Sequence, residues 1–317
     1  MKKPAPTTLT RLSWIIKIAI VIAAAFYIWQ KITGRKWLDH FPEFLYNACT
    51  RHTVSFLFAF LLVFLNWGME ALKWRYLLHK LVEIKFHSAF KAVLAGVTTG
   101  IFTPNRVGEF GGRVFSLPEG YRLKAALLSV AGGMVQLLVT LLAALPVILT
   151  QRQIHFFLYQ DVRIARIAVL VSVPFLIFAF LYRARWLKPV ADYLQVFRIH
   201  SFTHWLIIFL ISGLRYLVFS FQFYLLLCCF GVGLSPLCAY IGITMTFFSS
   251  TVIPTMAFSE ILVRGGTSLA FVGIFSDNDI GILSASLVLW IINIALPAMA
   301  GSIFVLKMNP FKKSMSA

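Results

Sequence analysis

Charged residues are scarce in this sequence. Asp, Glu, Lys and Arg make up 13% of its 317 residues, about half the roughly 25% found in soluble proteins. Hydrophobic residues make up 60%, with a mean hydropathy of +0.84. A soluble domain of this length cannot bury so much apolar surface. Stretches close to the ~20 apolar residues that cross a bilayer recur along the chain, which predicts an all-α polytopic membrane protein.

Cysteine is also rare, and familiar catalytic motifs are missing. The four cysteines, two of them adjacent at Cys228 and Cys229, show neither a zinc spacing nor a secreted disulfide framework. His200 and His204 lack the Glu of a His-Glu-x-x-His motif, and no nucleophile elbow, P-loop or dinucleotide fingerprint occurs. The sequence therefore predicts no catalytic residue, no metal and no cofactor, and we expect the protein not to be an enzyme.

Basic residues, by contrast, outnumber acidic ones by 29 to 11. No nucleic-acid-binding motif accompanies this charge, so nucleic acid is not an expected partner. Most Lys and Arg lie in short connections between apolar stretches, as the positive-inside rule predicts for cytoplasmic loops. With a cytoplasmic N-terminus, 20 of them fall on the cytoplasmic side and 6 outside. We therefore predict that both termini are short cytoplasmic tails and that anionic lipid headgroups attract the basic connections.

Two apolar segments are each broken by a proline. The first runs from Ser88 to about Leu117 and breaks at Pro104, and the second runs from Leu234 to about Phe275 and breaks at Pro254. Backbone groups freed at a break must be buried in protein or line a cavity. Each broken segment is predicted either to re-enter as a hairpin or to form a full span. The six other spans are predicted at Trp14–Trp29, Val54–Met69, Ala125–Leu149, Ile164–Tyr182, Trp205–Phe230 and Ile280–Leu306.

If both segments are re-entrant, the two halves have opposite orientations. Residues 12–149 and 164–306 then form an inverted repeat within a single integral membrane domain, 1–317. Six full spans plus two re-entrant segments is the main prediction, and eight spans is the alternative. No soluble domain is expected in addition.

An acid and an arginine follow each break, four residues apart. The first pair is Glu109 and Arg113, with Arg106 one turn earlier, and the second is Glu260 and Arg264. Arginines in a cavity suit a lipid phosphate, which a guanidinium binds in bidentate fashion. The alternative is that each pair is a salt bridge that only fixes its hairpin.

Three further polar residues fall inside predicted spans. Arg215 lies near the middle of its span, where an arginine is costly and marks a functional site by default. Its expected partner is Glu109 or Glu260. Gln136 and Asn293 lie in the spans that follow the two broken segments. They are predicted either to line a substrate path or to form interhelical hydrogen bonds.

These motifs resemble the membrane domain of the bacterial lysylphosphatidylglycerol synthases. The resemblance rests on the pattern Pro-x-Arg-x-Gly-Glu-x-x-x-Arg at 104–113, on Pro254 and Glu260, and on Lys73-Trp74-Arg75-Tyr76-Leu77-Leu78. It implies a flippase-like fold in the bacterial cytoplasmic (inner) membrane, in a stand-alone form without the aminoacyl-transfer domain. The chain departs from the family at residues 132–136, where Gly132, Gly133 and Met134 precede Gln136, and at residues 255–257.

The leading hypothesis is a lipid translocase that moves an anionic lipid or lipid-linked headgroup between leaflets, with membrane lipids as its partners. A membrane enzyme acting on lipid-linked substrates, with Glu109 or Glu260 as general base, is the runner-up. A scaffold with purely structural ion pairs is the third hypothesis. The sequence leaves the lipid, the energy source and the oligomeric state open.

Overall fold

The computed structural model describes residues 42–43, 45–47, 50–103, 106–150, 200–253, 255 and 257–307. From residue 53 onward the described chain forms nine α-helices and one π-helical turn, with no β-strand. They are α1 Thr53–Leu78, α2 Phe86–Ile101, α3 Gly108–Val114, α4 Glu119–Thr150, α5 Phe202–Cys229, α6 Pro236–Val252, α7 Ala257–Phe271, α8 Asp279–Trp290, the π-turn Ile291–Ala295, and α9 Leu296–Lys307.

Four of these helical stretches are long and apolar enough to cross a membrane: α1, α4, α5, and the continuous helix from Asp279 to Leu306. The prediction of an all-helical chain with several apolar spans is confirmed for the described residues. The predicted spans Trp14–Trp29 and Ile164–Tyr182 lie outside them, as do Pro104 and Pro254. The total number of spans and the inverted repeat therefore stay predictions.

The helix α1 continues further than its hydropathy predicts. The apolar run ends near Met69, yet the helix continues to Leu78 and buries the side chains of Lys73 and Trp74, which are 2% and 0% exposed. Lys73 is therefore not part of a basic connection. It is buried because Glu70, one turn earlier, supplies a carboxylate partner.

Local sequence signals explain where several helices begin and end. Ser235 caps α6, which starts at a proline, and the Asn278 side chain accepts a hydrogen bond from the Gly281 N–H to start α8. Both are typical helix-start signals. α5 ends before Gly231, whose φ of 73° lies in the left-handed region that favours glycine.

Each broken segment folds back on itself as a helical hairpin. α2 packs against α3, and α6 packs against α7. The order of long helix, hairpin and long helix thus occurs twice, as α1 to α4 and again as α5 to α9. α1 and α5 pack against each other at the centre, and α9 packs along α2. This arrangement brings the two hairpins together between the long helices.

Candidate functional site

The first hairpin turns sharply between α2 and α3. The Thr99 hydroxyl donates to the Gly108 carbonyl oxygen at 2.7 Å, and the Gly108 N–H donates to the Thr103 hydroxyl at 2.7 Å. At the tip, Arg106 has a φ of 55°, a conformation that non-glycine residues seldom adopt. The turn therefore holds the Arg106 backbone in the unfavourable left-handed region, and it positions the Arg106 side chain at the hairpin tip.

Glycines allow the two arms of this hairpin to approach closely. A Cβ added to Gly108 would clash with the Thr99 carbonyl oxygen, and one added to Gly96 would lie 2.7 Å from the Glu109 carbonyl oxygen. The sequence has two Gly-x-x-x-Gly patterns here, at 96–100 and at 108–112, and small residues at this spacing let helices approach closely. The contact involves Gly96, Gly100, Gly108 and Gly112.

The second hairpin is closed by hydroxyl groups instead. The Ser250 and Thr267 hydroxyls are hydrogen-bonded at 2.9 Å, and the Thr246 hydroxyl reaches the Thr267 carbonyl oxygen at 3.5 Å. This packing sets the first turn of α7, and with it Glu260, beside the tip of the first hairpin.

Glu70, in α1, is the hub of the charges in this region. Its Oε1 accepts from Nη1 of Arg113 at 2.7 Å, while Oε2 lies 2.7 Å from both Nη1 of Arg215 and Nζ of Lys73. Glu70 is 4% exposed. A buried carboxylate that meets three cations is stabilised by them and neutralises part of their charge.

From Arg113 the ion pairs continue across both hairpin tips. Arg113 also reaches Glu109 at 3.4 Å, and Glu109 pairs with Arg106. Nη1 of Arg106 lies 3.8 Å from Oε2 of Glu260, whose Oε1 accepts from Nη2 of Arg264 at 2.5 Å. Eight charged side chains therefore form one connected group, which we call the ionic chain: Glu70, Lys73, Arg106, Glu109, Arg113, Arg215, Glu260 and Arg264.

A cavity of about 640 Å³ opens beside the ionic chain. Both halves of the described chain contribute to its wall. Its polar lining residues are Asn66, Arg106, Gln136, Thr140, Arg215, Tyr216, Ser250, Thr251, Thr255, Glu260, Arg264 and Asn293, and its apolar side includes Trp67, Phe219 and Phe247. The volume falls in the range of small-molecule sites, roughly 300–1,000 Å³.

Several buried N–H groups on the cavity wall have no acceptor among the described residues, and one of them is Nε of Arg106. Arg264 is 9% exposed, and its Nε and Nη1 have no hydrogen-bond partner among the described residues. The indole N–H of Trp67, which is 5% exposed, has no partner in this part of the chain either. Buried donors are normally paired, so these point to a missing acceptor. Cation–π contacts orient two arginines beside the cavity. Arg264 lies over Phe219 at 5.5 Å, and Arg215 lies over Trp67 at 5.3 Å.

A row of side-chain amides supports Arg215 from behind. Nε of Arg215 donates to Asn66 at 2.9 Å, Asn66 donates to Asn293 at 3.1 Å, and Asn293 donates to Gln222 at 2.9 Å. Gln222 then donates to the Ala59 carbonyl oxygen at 2.7 Å. Asn293 lies in the π-turn, and such turns occur most often at functional sites.

The residues predicted from sequence come together, with one change of partner. Arg106, Arg215, Glu260 and Arg264 line the cavity, as do Gln136 and Asn293. Arg113 and Glu109 stand behind the wall in the ionic chain. The expectation that Glu109 or Glu260 is the partner of Arg215 is wrong, because Arg215 pairs with Glu70. Gln136 donates to the Ser212 carbonyl oxygen, an interhelical hydrogen bond, and also faces the cavity.

Glu70, Asn66 and Gln222 belong to the site but were not predicted from the sequence. Asn66, Glu70 and Lys73 are spaced four and three residues apart, which places them on one face of a helix. Gln222 follows Arg215 by two helical turns and lies on the same face. The helical spacing of these polar residues could have identified them as site residues from the sequence.

Comparison with protein-family models, with curated proteins and with solved structures finds no match to this chain.

Proposed function

We propose that the protein is a lipid translocase that moves an anionic lipid or lipid-linked headgroup between the leaflets of a bacterial cytoplasmic membrane. The observation that carries the proposal is Arg264, a buried arginine on the wall of a cavity between two hairpins, with two nitrogens that have no acceptor among the described residues. A phosphate oxygen is the acceptor that an arginine fork fits best.

The arrangement of the helices supports transport rather than simple binding. In the proposed topology both termini are cytoplasmic, and the two halves, 12–149 and 164–306, are inverted with respect to each other. The hairpins then enter from opposite sides, and their tips meet at the cavity. Binding at the interface of inverted halves, with helices interrupted at the site, is typical of secondary transporters.

Leaflet-resolved transport tests the proposal. Purified protein in liposomes would be given fluorescent phosphatidylglycerol or, in a separate preparation, fluorescent phosphatidic acid, and the labelled lipid left in the outer leaflet would be bleached chemically with time. We expect wild type to expose inner-leaflet lipid faster than protein-free liposomes and Arg264→Gln to lose most of this activity. Arg122→Gln, which removes an arginine outside the ionic chain and the cavity lining, should behave as wild type. Wild-type rates equal to those of empty liposomes for both lipids would contradict the proposal.

The membrane-enzyme alternative predicts something different. An enzyme converts its lipid in detergent solution, where no leaflets exist, whereas a translocase leaves the lipid chemically unchanged. Mass spectrometry of the lipid recovered from both preparations separates the two hypotheses.

A further inference from the structure

We infer that the cavity accepts a headgroup with two negative charges, as in a phosphate monoester or a diphosphate, in preference to a singly charged phosphodiester. The inference rests on the proposed function and narrows its substrate class. It follows from the charge balance of the ionic chain and from the donors left open on the cavity wall.

The ionic chain carries more positive than negative charge. Its cations are Lys73 and the four arginines at 106, 113, 215 and 264, and its anions are Glu70, Glu109 and Glu260. The group therefore has an excess of two positive charges within the described part of the chain.

This excess lies where water screens it poorly. No side chain of the ionic chain is more than 24% exposed, and Glu70, Lys73 and Arg113 are each 5% exposed or less as whole residues. Uncompensated charge costs far more in such surroundings than at a surface. A bound anion with two negative charges would neutralise the excess positive charge, whereas a singly charged anion would leave one positive charge uncompensated.

The cavity wall also has donors for more than one oxygen. Nε and Nη1 of Arg264 and the indole N–H of Trp67 lack acceptors among the described residues, and both residues line the cavity. A monoester presents three terminal oxygens, whereas a diester presents two. The donor set and the charge excess thus favour the same class of ligand.

Soluble headgroup analogues provide the first test. Binding of glycerol 3-phosphate, glycerophosphoglycerol and sulfate to the detergent-solubilised protein would be measured by calorimetry, with chloride added to equal ionic strength because screening affects charged ligands. At about pH 8, the monoester and sulfate should bind about ten-fold or more tightly than the diester. Arg264→Gln should abolish this binding, and Arg122→Gln should leave it unchanged.

The charge of the monoester can be varied without changing its structure. A phosphate monoester loses one charge below its second pKa of about 6, whereas sulfate remains doubly charged. At about pH 5.5 the monoester should therefore bind no better than the diester, while sulfate binding should persist. Sulfate thus controls for any effect of pH on the protein itself.

Lipids of matched acyl chains then identify the source of the phosphate. Phosphatidic acid and phosphatidylglycerol would be compared in the liposome assay, with glycerol 3-phosphate as competitor. Preferred movement of phosphatidic acid without competition indicates a lipid ligand, and strong competition indicates that a free phosphate ester also enters. Both outcomes support a site for a doubly charged phosphate.

Two results would overturn the inference. The first leaves the translocase proposal intact, and the second contradicts that proposal as well. If the diester binds as tightly as the monoester at about pH 8, and Arg264→Gln abolishes both, the cavity is a site for a single negative charge and the translocase proposal stands. If no analogue binds and neither lipid moves, both proposals fail.

Discussion

Nη1 of Arg106 lies 3.8 Å from Oε2 of Glu260, and this contact joins the tips of the two hairpins. The two residues come from different halves of the chain, yet their side chains belong to one ionic chain. The contact is the closest link between charges of the two hairpins among the described residues, so its strength measures the electrostatic coupling between the two hairpin tips.

A double-mutant cycle would measure this strength. Arg106→Gln, Glu260→Gln and the double variant should give a coupling free energy of about 0.5–3 kcal/mol, because the two side chains share a buried network. Glu119 and Arg122, separated by 3.9 Å, provide a matched control, since Glu119 is 64% exposed. That pair should give a coupling of about 0–1 kcal/mol, toward the lower end, as exposed ion pairs do. Equal couplings in detergent unfolding curves would show that burial adds nothing to the Arg106–Glu260 contact.

Glu70 should matter more for stability than any acid chosen from the sequence motifs. Glu70→Gln leaves Lys73, Arg113 and Arg215 without their shared carboxylate. Breaking a buried pair typically costs about 3–5 kcal/mol, and we expect a loss of that size in thermal unfolding. Glu119→Gln, at an exposed position, should cost about 0–1 kcal/mol. A Glu70→Gln protein as stable as the Glu119→Gln protein would contradict the role of Glu70 as the hub.

The glycine contact of the first hairpin can be tested with one methyl group. Gly108→Ala forces a Cβ against the Thr99 carbonyl oxygen, and overpacking of this kind costs about 1–3 kcal/mol. Gly111 is the control, because a Cβ there meets no atom of the described residues within 4 Å. Gly111→Ala should be neutral or stabilising by up to about 1 kcal/mol through helix propensity. Thermal unfolding of both variants decides the matter, and equal stabilities would mean that α2 and α3 are not closely packed.

The proposed topology can be tested at two open glycines. A Cβ on Gly233 or on Gly120 meets no atom within 4 Å, so a cysteine at either position should not disturb the fold. In a cysteine-free background, Gly233→Cys should react with a membrane-impermeant maleimide in intact cells. Gly120→Cys should react only after permeabilisation. Labelling of Gly120→Cys in intact cells would reverse the orientation of α4 and remove the basis of the inverted halves.

Hydropathy predicted the long helices well, because a span must be apolar over nearly its whole length. It failed at the end of α1, where Lys73 looks like the start of a basic loop. The burial of Lys73 depends on its ion pair with Glu70. Because such paired polar residues lower the local hydropathy, a hydropathy-based prediction ends the helix too early. The prolines predicted the two helix breaks for a similar local reason, since a break frees backbone groups whatever the tertiary fold, but they left open whether each segment folds back or spans the membrane.

The choice of partners within the site could not be predicted in the same way. Arg215 had three intramembrane or near-membrane acids available, and only the packing of α1 against α5 places Glu70 opposite it. Contacts between distant segments depend on the angle and depth at which helices cross. The identities of the site residues are local features of sequence, but their pairing is a property of the assembled bundle.

The row of amides behind Arg215 has a fixed direction. Every hydrogen bond in it runs from the guanidinium toward the Ala59 carbonyl oxygen. Turning over one amide alone would set donor against donor on one side and acceptor against acceptor on the other. Turning all three would aim an amide NH₂ at the guanidinium and an amide oxygen at the Ala59 carbonyl. All three amides therefore have one allowed orientation, with each NH₂ group pointing toward the Ala59 end of the row. The orientation of Gln222, which is buried between the long helices, thus depends on a charge at the edge of the cavity.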